Sequence, residues 1–247
     1  MQFALKAVKA ALLLTAFLAA AQEQTAVEIT NEPGHHLVIS NAFIRAFDVI
    51  VPPKATTLVH RHNYDYVFVT LGDSDITNSR VGAQPVKLQL KDGEVRYTLG
   101  GFAHSATNNL DRPFHNTTIE LLTKTTNESA CTGSCTVEVA CKSADKSACP
   151  QVQRLLSADQ WTVTTLTLPP SATYEQHSHA GSHLSVAVTD LDIRVISQNG
   201  QETAVHQKVG DLVWHDPVVH SIRNVGTKPA KIVSLEFKGT AATSSPL

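Results

Sequence analysis

The feature of this sequence that most constrains its fold is an internal repeat. A His-x-His motif that follows a Pro-Pro pair occurs twice, 117 positions apart. The two copies are His60-Arg61-His62 after Pro52-Pro53, and His177-Ser178-His179 after Pro169-Pro170. Three further landmarks recur at offsets of 116 or 117: Gly93 with Gly210, His104 with His220, and Asn108 with Asn224. Self-similarity at a fixed offset indicates a duplicated structural unit. We therefore predict two copies of one domain.

Both copies have the residue pattern of β-strands. Residues 66–71 alternate Val and Leu with Tyr, Phe and Thr, and similar β-branched runs cover 161–168, 184–195 and 231–237. Pro, Gly, Asn and Asp turn residues end these runs. Many short strands at regular spacing predict an all-β sandwich or barrel. Residues 150–158 are the one segment after the N-terminus for which we predict a short helix.

The N-terminus has the pattern of a secretory signal peptide. Lys6 and Lys9 precede a largely apolar run over 10–21 that ends in three alanines. Twelve residues are too few to span a bilayer, which needs about 20 in a helix. A short buried helix is the alternative. We predict cleavage after Ala21 and a secreted or periplasmic protein.

All four cysteines lie in one polar segment, at Cys131, Cys135, Cys141 and Cys149. An even, clustered set in an exported protein predicts two disulfides, for which three pairings are open. A zinc site is the alternative, but the segment contains no C-x-x-C pair. We interpret it as a disulfide-linked insert between the two copies.

Composition narrows the function classes. The formal charge of −2, without long runs of either sign, argues against a protein that coats nucleic acid. The chain also contains 12 histidines, and histidine is the commonest metal ligand. Side chains at positions i and i+2 of a strand point to the same face, so each His-x-His motif brings two imidazoles to one point inside a barrel.

These considerations give one candidate ligand set per copy. The set of the first copy is His60, His62, Asp65 and His104, and that of the second copy is His177, His179, His183 and His220. Three imidazoles with a carboxylate suit Fe, Mn, Ni, Zn or Cu, whereas four imidazoles favour Zn or Cu. Barrels whose histidines are hydrogen-bonded core residues without metal are the alternative.

The other residues of interest receive no metal role. Solvent-exposed positions are expected for His35 and His36, and surface or packing positions for His115, His206 and His215. Strand alternation is expected to turn Tyr66 away from the ligand face that carries Asp65. Arg45 and Arg61 are candidates for binding an anionic substrate, with a solvated strand surface as the alternative. The sequence assigns no catalytic residue.

The motifs resemble those of the cupin family, and their tandem occurrence resembles the bicupins. Cupins carry G-x5-H-x-H-x3-4-E-x6-G followed by G-x5-P-x-G-x2-H-x3-N. The first copy matches at His60, His62, Gly72, Gly93, Gly101, His104 and Asn108. It departs at Lys54 for Gly, Leu99 for Pro, and Asp65 for Glu with a spacer one residue short. The second copy keeps His177, His179, Gly210, His220 and Asn224. It has His183 in the Glu place, Ser171 and Asp190 for Gly, and Asp216 and Val218 for Pro and Gly.

The resemblance implies two tandem jelly-roll-like barrels with inward-pointing ligands. We predict an N-terminal barrel over 22–124, a Cys-rich linker over 125–154 and a C-terminal barrel over 155–247. It also implies dioxygenase, decarboxylase, isomerase or lyase chemistry at a divalent transition metal, on a small oxygenated or carboxylate substrate. No separate general acid is evident, so a dioxygenase-like oxidoreductase is preferred to an oxalate decarboxylase-like mechanism.

Two other classes stay open. One is a non-catalytic exported module that binds metal or a small ligand, which the all-histidine second site favours. The other is a structural protein resembling the seed-storage bicupins, against which the retained histidines argue. The expected partners are a small molecule and, by resemblance alone, a second copy in a homodimer. No nucleic acid and no membrane span after signal cleavage are expected.

Overall fold

The computed structural model describes residues 25–125, 128–130, 137–141 and 144–238. The predicted signal peptide lies outside the described residues. The described chain consists of β-strands joined by turns and two 3₁₀ turns, Ile29–Asn31 and Lys146–Ala148, with no α-helix among these residues. None of the described residues forms a helix long and apolar enough to cross a membrane. The predicted all-β fold is confirmed.

The first barrel contains ten strands in two facing sheets. The strands are β1 (Val27–Glu28), β2 (His35–Ser40), β3 (Ile44–Val51), β4 (His60–His62), β5 (Tyr66–Leu71), β6 (Ser74–Arg80), β7 (Val86–Leu90), β8 (Val95–Thr98), β9 (Phe102–Asn108) and β10 (Phe114–Leu121). One sheet has the order β1-β4-β9-β6-β7 and the other has the order β2-β3-β10-β5-β8. Apart from the parallel β1–β4 pair, the strand pairs of this barrel are antiparallel.

The remaining strands build the second barrel. They are β11 (Glu128–Ala130), β12 (Val137–Val139), β13 (Gln151–Ala158), β14 (Trp161–Leu168), β15 (Thr173–His179), β16 (His183–Ala187), β17 (Leu191–Ser197), β18 (Glu202–Gln207), β19 (Leu212–His215), β20 (Val218–Asn224) and β21 (Ala230–Phe237). The sheets have the orders β11-β13-β14-β21-β16-β19, with β12 also on β13, and β15-β20-β17-β18.

The predicted helix over 150–158 is wrong, because this segment forms β13. It pairs along its length with β14, from Gln151 opposite Thr167 to Ser157 opposite Thr162. β11 and β12 pair with its other edge. Long-range hydrogen bonding on both sides therefore decides the conformation of a segment whose local sequence allows a helix.

The two barrels repeat each other in detail. The side-chain amides of Asn108 and Asn224 are both 1% exposed and occupy equivalent positions. Asn108 Nδ2 donates to the carbonyls of Val51, Pro52 and Arg112, and Asn224 Nδ2 donates to those of Leu168, Pro169 and Lys228. Lys54 and Ser171, where the cupin motif has Gly, both have positive φ, at 57° and 63°. Glycine adopts that conformation without strain, which explains the residue in the motif.

A continuous apolar core joins the barrels. One buried cluster takes Ile44, Val67 and Ile119 from the first barrel and Val163 and Leu235 from the second. Aromatic pairs extend it: Phe43 stacks on Trp214 at 5.7 Å between ring centroids, and Tyr97 lies 5.6 Å from Trp161. Alternation in β5 turns the valines outward to this core and leaves its even-numbered residues facing the barrel interior.

The insert between the barrels is partly described. Cys141 and Cys149 form a disulfide, one of the pairings that the sequence leaves open. Cys131 and Cys135 lie outside the described residues. Because β11, β12 and the start of β13 belong to the sheet of the second barrel, the segment predicted as a linker extends that sheet.

Candidate metal centres

The first histidine cluster lies inside the first barrel. His60 and His62 point inward from β4 while Arg61 between them is exposed, as alternation predicts. Antiparallel pairing of β4 with β9 places His104 directly opposite His60. The ring centroids of His60 and His104 are 4.5 Å apart, and His60, His62 and His104 are buried.

Hydrogen bonds fix which ring nitrogens face the cavity. His60 Nδ1 donates to the Leu58 carbonyl at 2.9 Å, and His104 Nδ1 donates to Asn78 Oδ1 at 2.6 Å. The Nε2 lone pairs are thereby left free, and His60 Nε2 is buried without a partner among the described residues. His62 Nε2 and His104 Nε2 lie 3.1 Å apart. Two ligands bound at right angles to one ion at about 2.1 Å are about 3 Å apart. This donor set fits a metal ion.

A fourth imidazole, which the sequence analysis placed on the surface, joins this cluster. His35 lies on β2 and is only 8% exposed. Ligand nitrogens of His35, His60 and His62 all lie within 4.8 Å of one another. His35 Nδ1 donates to the buried carboxylate of Glu32 at 2.6 Å. A carboxylate that orients an imidazole in this way is typical of metal-binding histidines.

Asp65 does not join the cluster. Its two carboxylate oxygens accept hydrogen bonds from the Tyr97 hydroxyl and the Gly100 backbone N–H, both at 2.8 Å. The neighbouring Tyr66 faces the interior instead and stacks on His62 with 4.2 Å between ring centroids. The expectation that Tyr66 points away is wrong, because Asn63–Asp65 break the strand and alternation does not carry over from β4 to β5.

The second cluster repeats this arrangement in the second barrel. His177 and His179 on β15 face His220 on β20, and their ligand nitrogens lie within 4.8 Å of one another. His177 Nδ1 donates to the Glu175 carbonyl at 2.9 Å, and its Nε2 lies 3.0 Å from His220 Nε2. The predicted residues His177, His179 and His220 are thus brought together.

His183 stacks on the cluster and does not point into it. Its ring is nearly parallel to that of His179, at 17° and 4.0 Å between centroids, and to that of His215, at 20° and 4.7 Å. The lone pair of an imidazole lies in the ring plane, so two stacked rings cannot both direct it at one ion. His183 therefore takes the stacking position that Tyr66 has in the first barrel. His215, for which a surface or packing role was expected, lines the same cavity. Its Nε2 shares a hydrogen bond with Ser185 Oγ at 2.9 Å.

The carboxylate behind each cluster distinguishes the two sites. In the second barrel, Glu236 Oε2 accepts a hydrogen bond from His179 Nδ1 at 3.0 Å. In the first barrel, Arg45 donates twice to Oε2 of the equivalent Glu120. Glu120 Oε1 then lies 3.9 Å from His62 Nδ1, and both atoms lack a hydrogen-bond partner among the described residues. Arg45, a candidate for substrate binding, is thus engaged by Glu120.

Burial keeps these imidazoles neutral. Loss of hydration, reinforced by neighbouring histidines, lowers the pKa of His60 to about 4, of His104 to about 3 and of His62 to about 2. The same causes lower the pKa of His220 to about 4 and of His183 to about 3. Since a metal binds the neutral imidazole, His60, His62, His104 and His220 can bind an ion at neutral pH without first losing a proton.

The two sites differ in access. The first cluster borders a cavity of about 60 Å³ with a largely apolar lining that includes Val49, Phe68 and Phe114. The second borders a larger cavity of about 320 Å³, and His177 and His179 are partly exposed there. The first site is therefore the drier of the two.

Comparison with known proteins places this geometry in a fold class. No protein-family model and no curated protein sequence matches the chain. Among solved structures, AerE from Microcystis aeruginosa matches with a TM-score of 0.58 at 10% identity, over 84% of this chain and 99% of AerE. Oxalate decarboxylase from Bacillus subtilis matches with a TM-score of 0.53 at 12% identity, over 79% of this chain and 68% of that one.

A third structure, a cupin 2 conserved barrel domain protein from Leptotrichia buccalis, matches with a TM-score of 0.51 at 8% identity. It covers 83% of this chain and 88% of that one. The chain has the bicupin fold, as the duplicated motifs predict. At these identities the likeness shows the fold alone.

Proposed function

We propose that this protein is an exported, metal-dependent bicupin enzyme whose reaction centre lies in the first barrel. The substrate class is a small oxygenated or carboxylate compound, and the chemistry is dioxygenase-like. The observation that carries the proposal is the convergence of three imidazole Nε2 atoms on an apolar cavity: His62 Nε2 and His104 Nε2 lie 3.1 Å apart, and His60 Nε2 is buried without a partner among the described residues.

The donor set suggests the kind of cofactor. Imidazole ligands suit Fe, Mn, Ni, Zn or Cu. A Bacillus subtilis oxalate decarboxylase with the same fold has Mn(II) centres. Neutral ligands leave the charge of a divalent ion uncompensated, so the site favours anionic oxygen ligands such as carboxylates and enolates. A bound ion would supply Lewis acidity or a site for oxygen chemistry.

The residues of the chain define what happens around such an ion. The apolar lining excludes water, which strengthens electrostatic interactions with a bound anion. The buried carboxylates behind the site are already engaged, Glu32 by His35 and Glu120 by Arg45. No Asp or Glu lines the first cavity among the described residues. This favours oxygen-dependent chemistry over a decarboxylation that needs a proton donor.

Export is part of the proposal. It is supported by the signal-peptide pattern over 1–21 and by the Cys141–Cys149 disulfide, since such bonds persist in oxidising compartments.

A non-catalytic metal-binding role is the second candidate, favoured by one observation in the second barrel. His177 and His179 are partly exposed at the larger cavity, so an ion there would exchange more easily with solvent. In this alternative the protein buffers metal or holds a small ligand outside the cytoplasm.

Metal analysis combined with oxygen uptake separates the candidates. The mature protein is reconstituted separately with Fe, Mn, Ni, Cu and Zn, analysed for metal per chain, and assayed on an oxygen electrode with small carboxylates and enols. The enzyme proposal predicts one ion per barrel and oxygen uptake that His60→Ala abolishes and His177→Ala retains. Bound metal without uptake on any substrate favours the binding module, and absence of metal in all reconstitutions contradicts both.

A further inference from the structure

An exposed guanidinium group, that of Arg80, lies beside the first histidine cluster and has no carboxylate partner among the described residues. On β6, Ile76 and Asn78 line the cavity, and alternation places Arg80, two residues further on, on the same face of the strand at its exposed end. Arg80 also lies directly opposite His104 in the β6–β9 pairing. β6 therefore places a positive charge beside the first histidine cluster.

An aromatic ring holds this group in place. The guanidinium carbon of Arg80 lies 3.8 Å from the centroid of the Phe102 ring. That ring is 5.4 Å from His104 and 5.9 Å from His62, between centroids. Stacking occupies the face of a guanidinium and leaves the N–H donors along its edge free. Arg80 thus lies beside the cluster and has no hydrogen-bond partner for its guanidinium group among the described residues.

Arg80 forms no ion pair with another described residue of this barrel. No carboxylate among the described residues lies within ion-pair distance of it, whereas Arg45 pairs with Glu120 and Arg96 pairs with Glu94. In the second barrel, Ser197 occupies the equivalent position opposite His220. The unpaired cation is consequently a property of the first site and not of the repeated fold.

We propose that Arg80 is the carboxylate-binding residue of the first site. The ligand class is a small monocarboxylate with an apolar body, whose carboxylate meets the Arg80 edge and whose body lies along the apolar lining near Phe68 and Phe114. This inference rests on the proposed function, because it names the substrate class of the same site. The contact itself requires only residues of the chain.

The test uses benzoate as the probe and benzamide as its neutral counterpart, with calorimetric titration of the mature protein in zinc-loaded and metal-free form. Arg80→Gln is compared with Arg61→Gln, which removes the same charge from an exposed position on β4. We expect Arg80→Gln to weaken benzoate binding at least about tenfold in both forms, the value of one charge-assisted bidentate contact, and to leave benzamide binding unchanged. Arg61→Gln should leave both affinities unchanged.

The proposal is overturned if wild-type protein does not bind benzoate, if the two variants behave alike, or if Arg80→Gln weakens both probes equally. Metal content of each sample is measured in parallel. Arginine-dependent benzoate binding in a protein that takes up no metal would retain this subsite and contradict the proposed metal-dependent function, so the two failures are distinguishable.

Discussion

Acid should unfold the metal-free protein in a pH range that the buried histidines determine. Burial lowers the pKa of five of them from the ordinary 6.5 to about 4 (His60, His220), about 3 (His104, His183) and about 2 (His62). As the pH falls below 6.5, these histidines take up protons in the unfolded chain but stay neutral in the folded chain. Stability therefore falls with falling pH.

The magnitude follows from linkage. At about pH 5.5 each of these histidines lowers the free energy of unfolding by about 1.4 kcal/mol relative to pH 8, so the five together lower it by roughly 7 kcal/mol. This is comparable with the whole stability of an ordinary domain, roughly 5–15 kcal/mol. Burial raises the pKa of Glu120, whose contribution runs in the opposite direction and offsets a small part of the loss.

Urea unfolding at several pH values measures this effect. Trp161 is fully buried in the core between the barrels, so tryptophan fluorescence reports unfolding. His60→Gln should reduce the slope of stability against pH by about one proton, whereas the exposed His36→Gln should not change it. A difference of less than about 2 kcal/mol between pH 5.5 and pH 8 in metal-free wild type would refute the reasoning.

Three further results are expected. Asn108→Ala should destabilise the protein by about 4 kcal/mol in urea unfolding, because it removes four hydrogen bonds at about 1 kcal/mol each, and equal stability would contradict this. Glu236→Gln should weaken metal binding in the second barrel by about tenfold or more in competition with a chelator, because it alters the hydrogen bond to His179. Glu120→Gln should change the metal affinity of the first barrel by less than about threefold, because Glu120 Oε1 lies 3.9 Å from His62 Nδ1. Asp65→Asn should retain full metal content by elemental analysis, and loss of one ion would restore Asp65 as a ligand.

Local pattern predicted the parts of the site that one strand or one motif defines. The His-x-His spacing placed His60 with His62 and His177 with His179, because side chains of one strand alternate strictly. The duplicated motifs added His104 and His220 and the bicupin fold. These features depend on short-range geometry or on repetition, both of which are visible in one sequence.

The features that sequence reasoning missed depend on long-range register. His35 reaches the cluster only because β2 pairs with β3, and its neighbours in sequence suggest a turn. His215 enters the second cavity because β19 pairs with β16 and places it opposite His183. A signal was nevertheless present for Tyr66, which occupies the place of His183 when the repeat offset of 117 is applied.

The central claim is that each barrel holds one metal ion between histidine Nε2 atoms. Anomalous diffraction from crystals of the zinc-loaded mature protein tests it most directly. We expect one peak in each barrel, about 2.1 Å from the Nε2 atoms of His62 and His104 in the first and of His177 and His220 in the second. Peaks elsewhere, or none in either barrel, would contradict it.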